Sequence, residues 1–150
     1  MKEKTAYRTL LWCVSLLGVL FFIFANSCVP ASESAAESRS VWDFLLSFFP
    51  FITHHAVRKL AHFAEYALLG AHLAFAPILL PASTKVSYPT ALFFGAVIAL
   101  LDEGLQRLVP GRAGTLTDVL IDYLGYLTAL LVMLAVFFVY AKKKRRRTNE

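Results

Sequence analysis

The sequence predicts an all-α integral membrane protein, a bundle of four transmembrane helices with one short interfacial helix. Three observations predict it. Of the 150 residues, 58% are hydrophobic and only 17% are charged, whereas an ordinary soluble domain carries about a quarter charged residues. The apolar residues fall in blocks long enough to span a bilayer instead of being spread by a surface-helix period. Six of the fifteen Lys and Arg residues form one run, Lys142-Lys143-Lys144-Arg145-Arg146-Arg147, directly after the last apolar block. That placement suits a juxtamembrane anchor on an anionic leaflet better than a nucleic-acid patch. Disordered chains and disulfide frameworks are excluded by the same composition. Cys13 lies inside the first apolar block and Cys28 just after it, with no metal-ligand spacing, and since one of the pair sits at membrane depth no structural disulfide is expected.

The first helix is expected at about 9–26, because residues 9–32 contain no Asp, Glu, Lys or Arg. Lys2, Lys4 and Arg8 precede it and place its N-terminus inside. Ala25-Asn26-Ser27-Cys28 invites a lipoprotein processing reading, but Asn and Ser fit that site poorly. Residues 31–40, rich in Ser, Ala and Glu without periodicity, are expected to form a loop. The segment 41–50 is aromatic and closed by Pro50, too short to span, and reads as an interfacial helix anchored by Trp42.

A second spanning helix is expected at 53–80, with Pro77 kinking or ending it. A loop carrying Lys85 leads to a third helix at 88–106. The segment Val109-Pro110-Gly111-Arg112-Ala113-Gly114-Thr115 has turn chemistry throughout. Thr115 or Thr117 caps a fourth helix at 117–140, with Asp118 in its favourable first turn, and the basic tail 141–150 stops it. Four spans put both termini on one side. The segments assigned to the cytoplasm, including Lys85, hold ten basic and two acidic residues, and the remainder five basic and eight acidic. The positive-inside rule therefore predicts a single multi-pass domain, residues 1–150, in the cell membrane with both termini cytoplasmic.

The interior charges carry the functional signal. On the second helix Arg58, His62 and Glu65 stand at i, i+4 and i+7, one face at 3.6 residues per turn, with His55 beside them and Lys59 and Tyr66 flanking. The third helix brings Asp102 and Gln106 at i, i+4, with Glu103 adjoining. The fourth brings Asp118 and Asp122. Three helices thus direct ionisable residues to one level of the membrane, where an isolated charge costs about 2.5–3.5 kcal/mol on insertion scales. Pairing is expected between Arg58, Lys59, Arg107 and Arg112 on one side and Glu65, Asp102, Glu103, Asp118 and Asp122 on the other. The competing reading is headgroup snorkelling or a network that only fixes helix packing; it is preferred for Arg107, Lys85 and the tail.

Arg58-Lys59-Leu60-Ala61-His62-Phe63-Ala64-Glu65-Tyr66-Ala67-Leu68-Leu69-Gly70 resembles the first signature of the VanZ-like membrane proteins. A second signature is similar in order and spacing: Asp102-Glu103, Gln106, Pro110-Gly111-Arg112, then Asp118, Asp122 and Gly125. The stretch Ser27…Pro30…Ser34…Ser38 resembles that family's serine-rich segment after the first helix. The positions that match the family pattern are Lys59, His62, Tyr66, Asp102, Glu103, Gln106, Arg112, Asp118, Asp122 and Gly125. Leu105 departs from a frequent histidine, and Ala129 from a frequent second glycine. The family takes its name from a protein associated with teicoplanin resistance, so the resemblance implies a role at the cell envelope in susceptibility to lipoglycopeptides.

Two mechanisms follow from these residues. In a binding or shielding module, Arg58, Lys59 and Arg112 hold an anionic headgroup, and Tyr66, Gln106, Asp118 and Asp122 complete the contacts. The ligand is a lipid-linked cell-wall precursor or the lipoglycopeptide itself, beside membrane lipids and no nucleic acid. In a membrane-embedded enzyme, His62 is base or nucleophile, Glu65 or Asp102 orients it, and Glu103 joins the catalytic group, with Arg112 stabilising negative charge. No cofactor is expected; a divalent-metal variant would use His62, Glu65, His55, Asp102 and Glu103 as ligands, while His54, His55 and His72 otherwise read as packing or interface histidines. A proton-coupled transporter would need to oligomerise, and no P-loop, dinucleotide fingerprint or Ser-His-Asp order is present.

Overall fold

The computed structural model describes residues 2–81 and 87–148, so Lys85 and the centre of its loop lie outside the described residues. Its elements are α1 (Lys2–Ser27), α2 (Ala31–Leu46), α3 (His54–Ala74), α4 (Ala76–Leu79), α5 (Tyr88–Gln106) and α6 (Leu116–Thr148). Among the described residues there is no strand.

Local sequence explains where the helices begin. The Thr53 side chain accepts from the Ala56 amide, Ser87 from the Thr90 amide and Thr115 from the Asp118 amide, three hydroxyl caps on donors that a first helical turn leaves unpaired. The second helix breaks at Phe75, and Pro77 sits in the first turn of the short α4, as its missing amide requires.

Two expectations are corrected. Residues 31–40 are helical, continuous with most of the proposed interfacial segment 41–50, which ends as helix at Leu46. Pro30 precedes the first turn, Ala and Glu favour helix, and the Ser38 hydroxyl donates back to the Ser34 carbonyl at 2.7 Å, so it does not compete for the backbone amides. Trp42 Nε1 then donates to the Ile52 carbonyl at 2.8 Å, and its ring meets His54 edge-on at 5.8 Å. The basic tail does not stop the last helix, which continues to Thr148. Lys and Arg are good helix formers, and Arg145, Arg146 and Arg147 lie at the negative end of the α6 dipole.

α3 and α6 lie backbone to backbone. A Cβ on Gly70 would collide with the Tyr126 carbonyl, and one on Gly125 with the Phe63 carbonyl, so two glycines on opposite helices let the axes approach. Tyr66, Leu69, Ala99, Tyr126 and Ile23 fill the space between α1, α3, α5 and α6. The Tyr126 hydroxyl donates to the Ala91 carbonyl at 2.6 Å, which satisfies its polar end inside that core.

Large apolar side chains also cover the outside. Leu17, Phe21, Leu68, Phe93, Leu101, Leu131 and Phe138 are all exposed. The segments Glu3–Ser27 and Leu116–Arg147 are long and apolar enough to cross a membrane, yet only 11% and 17% of their most apolar windows are buried within the protein. A soluble core helix would be mostly covered; the exposed apolar surface of these two is suited to lipid, as in a membrane protein.

Candidate functional site

The end of α1, the first half of α3, the end of α5 and the start of α6 meet at one end of the bundle. The ionisable site residues expected from the sequence lie there, His55 turning outward as an exposed residue at the start of α3. Asp102, Glu103, Gln106 and Asp122 are buried.

Each acid has its own environment. Asp102 is fully enclosed; the Ser27 hydroxyl donates to its Oδ1, and Gln106 Nε2 donates to its Oδ2 at 3.2 Å and to Ser27 Oγ at 3.4 Å. Glu103 Oε2 accepts from the Thr115 amide at 2.8 Å, pinning the α5–α6 turn. Glu65 Oε1 accepts from Asn26 Nδ2 at 2.8 Å. Asp122 is fully buried, and neither carboxylate oxygen has a hydrogen-bond partner. Its neighbour is His62, whose Nδ1 lies 3.6 Å from Asp122 Oδ1.

The expected acid–base pairing is realised in part. Lys59 Nζ reaches Asp118 Oδ1 at 2.5 Å. The Arg112 fork goes elsewhere: Nε donates to the Val29 carbonyl at 2.8 Å and Nη2 to the Asn26 carbonyl at 2.9 Å. Both acceptors lie where α1 ends, at Asn26 in its last turn and at Val29 just past it, where helical hydrogen bonding runs out. Arg107 likewise donates to a backbone oxygen, that of Gly114, at 3.0 Å. Burial and the nearby Arg58 charge lower the Arg112 pKa, while Asp102, Glu65 and Glu103 oppose that shift. Arginine stays charged throughout.

A cavity of about 200 Å³ opens beside the cluster, walled by Arg58, Arg112, His62, Glu65, Asn26 and, from α2, Ser34, Glu37 and Ser38. Tyr66 does not reach it as a polar group; it is fully buried, and its hydroxyl donates to the Ile98 carbonyl at 3.3 Å. Of the residues named for a metal, Glu65 and Glu103 are drawn off to Asn26 and Thr115, and Asp122 takes their place beside His62 and Asp102.

Sequence reasoning misses Asn26 and Ser27 as site residues. Their signal is an Asn-Ser pair interrupting the apolar block at its end, and its partners on α3 and α5 are 39 and 75 residues away. His72 behaves as the packing histidine expected, stacked on Trp12 with ring centroids 5.5 Å apart.

The sequence model of a family described as VanZ/LLP1 matches residues 11–140. No curated protein and no solved structure matches the chain.

Proposed function

Because the chain belongs to the VanZ/LLP1 family, we propose that it is a multi-pass protein of the cell envelope that binds the anionic headgroup of a lipid-linked cell-wall precursor and thereby lowers susceptibility to lipoglycopeptides such as teicoplanin. The carrying observation is the cavity in which Arg58 and Arg112 share a wall with His62 and Glu65. Two guanidinium groups on a polar hollow suit a phosphate, Arg58 through its whole fork and Arg112 through the N–H groups that its bonds to Val29 and Asn26 leave over. Arg58 makes no ion pair among the described residues, which leaves its charge available.

In this reading α1, α3, α5 and α6 all span, both termini are cytoplasmic, and the cavity faces outward. α3 and α5 have 21 and 19 residues, about the 20 that cross a hydrocarbon core. Leu68 and Leu60 on α3 and Phe93 and Leu101 on α5 turn apolar side chains outward as those of α1 and α6 do. The excess of Lys and Arg near the two termini supports the orientation.

One observation favours a second reading, a membrane-embedded enzyme that modifies the lipid-linked substrate. His62 stands in the cavity wall with the fully buried Asp122 behind it, the arrangement of a positioned base.

The test is teicoplanin susceptibility of a sensitive host expressing wild type, Arg112→Ala or His62→Gln at matched membrane levels, with mass spectrometry of extracted lipid-linked precursors. Binding predicts protection by wild type, loss in Arg112→Ala and unchanged precursor masses. An altered precursor mass that disappears in His62→Gln transfers the assignment to the enzyme. Absence of protection by wild type removes the resistance role.

A further inference from the structure

We propose that His62, Asp102 and Asp122 bind one divalent first-row metal ion beside the cavity, behind the His62 of its wall. Each offers one ligand atom, and the three atoms lie within 4.8 Å of one another. They come from α3, α5 and α6, so the ion would tie three helices together.

The independent observation is Asp122. Its carboxylate is fully enclosed, and both oxygens lack a hydrogen-bond donor. Leaving such a group unsatisfied carries the full cost of its desolvation, which is larger still for a charge. His62 Nδ1 is likewise unpartnered by any hydrogen bond. Its 3.6 Å approach to Asp122 Oδ1 is close to the roughly 3.3 Å that separates two ligands on a tetrahedral ion at about 2.0–2.1 Å. Three bare acceptor atoms from two side chains therefore converge where one cation would satisfy all of them.

The surroundings are those of a ligand set. Ser27 and Gln106 donate to Asp102 from buried positions and fix its carboxylate, the role outer hydrogen bonds play around metal ligands. One imidazole with two carboxylates suits Mn²⁺, Fe²⁺ or Zn²⁺ better than a soft thiophilic ion. A three-ligand ion keeps open coordination positions, and His62 belongs both to this site and to the cavity wall.

The site is tested without any lipid or drug, so its failure is separate from failure of the headgroup reading. Untagged full-length protein in detergent is stripped with a chelator and titrated calorimetrically with Zn²⁺ and with Mn²⁺. The expected result is one equivalent per chain for at least one of the two ions. Affinity should fall at least about tenfold in both Asp122→Asn and His62→Gln, while Asp43→Asn, an exposed acid on α2, keeps it. Circular dichroism confirms that the variants are folded. Should they not fold, X-ray absorption at the metal edge of the wild-type complex decides, with one nitrogen among oxygen neighbours expected. No stoichiometric binding, binding indifferent to both substitutions, or a shell containing sulfur or several imidazoles overturns the proposal.

Discussion

Arg112, in the turn between α5 and α6, donates through Nε to the carbonyl of Val29 at 2.8 Å, 83 residues earlier in the chain. With its second bond to the Asn26 carbonyl at 2.9 Å, it fastens that turn to the end of α1. Lysine keeps the charge and loses the planar fork. Arg112→Lys is therefore expected to cost about 1.5–3 kcal/mol, the range of hydrogen bonds to a charged group. Thermal unfolding in detergent measures it, and an unchanged midpoint refutes the fastening role.

Lys59 and Asp118 join α3 to α6 with side chains 28% and 27% exposed. Partial exposure places their coupling at about 0.5–1 kcal/mol in a double-mutant cycle. Exchanging the two residues should recover only part of that energy. A lysine at position 118 would stand in the first turn of α6, against the positive end of the helix dipole. Full recovery would mean that the dipole has no role there.

Gly125→Ala should destabilise the protein by about 2–3 kcal/mol, because the added methyl meets backbone, which cannot rotate away. Gly104→Ala is the matched control: a Cβ there meets nothing within 4 Å, and the change should be neutral or slightly stabilising through helix propensity. Equal effects of the two substitutions would remove close α3–α6 approach as the cause.

Cys13 and Cys28 are both free and exposed. In Cys13→Ser, a membrane-impermeant thiol reagent applied to intact cells should label Cys28, which follows the end of α1 on the side of the cavity. Labelling that requires permeabilisation would invert the proposed orientation.

The start of α3 and the bounds of α5 were legible because each rests on local chemistry, a hydroxyl cap and an apolar run, whereas the expected helix 53–80 breaks at Phe75, two residues before the proline expected to kink or end it. α2 was not legible. Its serines argue for a loop within a short window, and what orders the segment includes contacts of Ser38 and Trp42 with residues 52–54, beyond that window. The run of Lys and Arg after residue 141 misled about the end of the last helix, because Lys and Arg are good helix formers and α6 continues through them to Thr148.

That α3, α5 and α6 each carry ionisable residues on one face was readable from spacing, because helical spacing is a property of each segment alone. Which acid meets which partner depends on how the helices pack. Asp102, Glu103, Asp118 and Asp122 are chemically equivalent in the sequence, yet one is held by Ser27 and Gln106, one by the Thr115 amide, one by Lys59, and one is enclosed beside His62 with no hydrogen bond. Those assignments depend on rotations of α3, α5 and α6 about their axes and on the close approach at Gly70 and Gly125. A spacing rule within one helix contains neither.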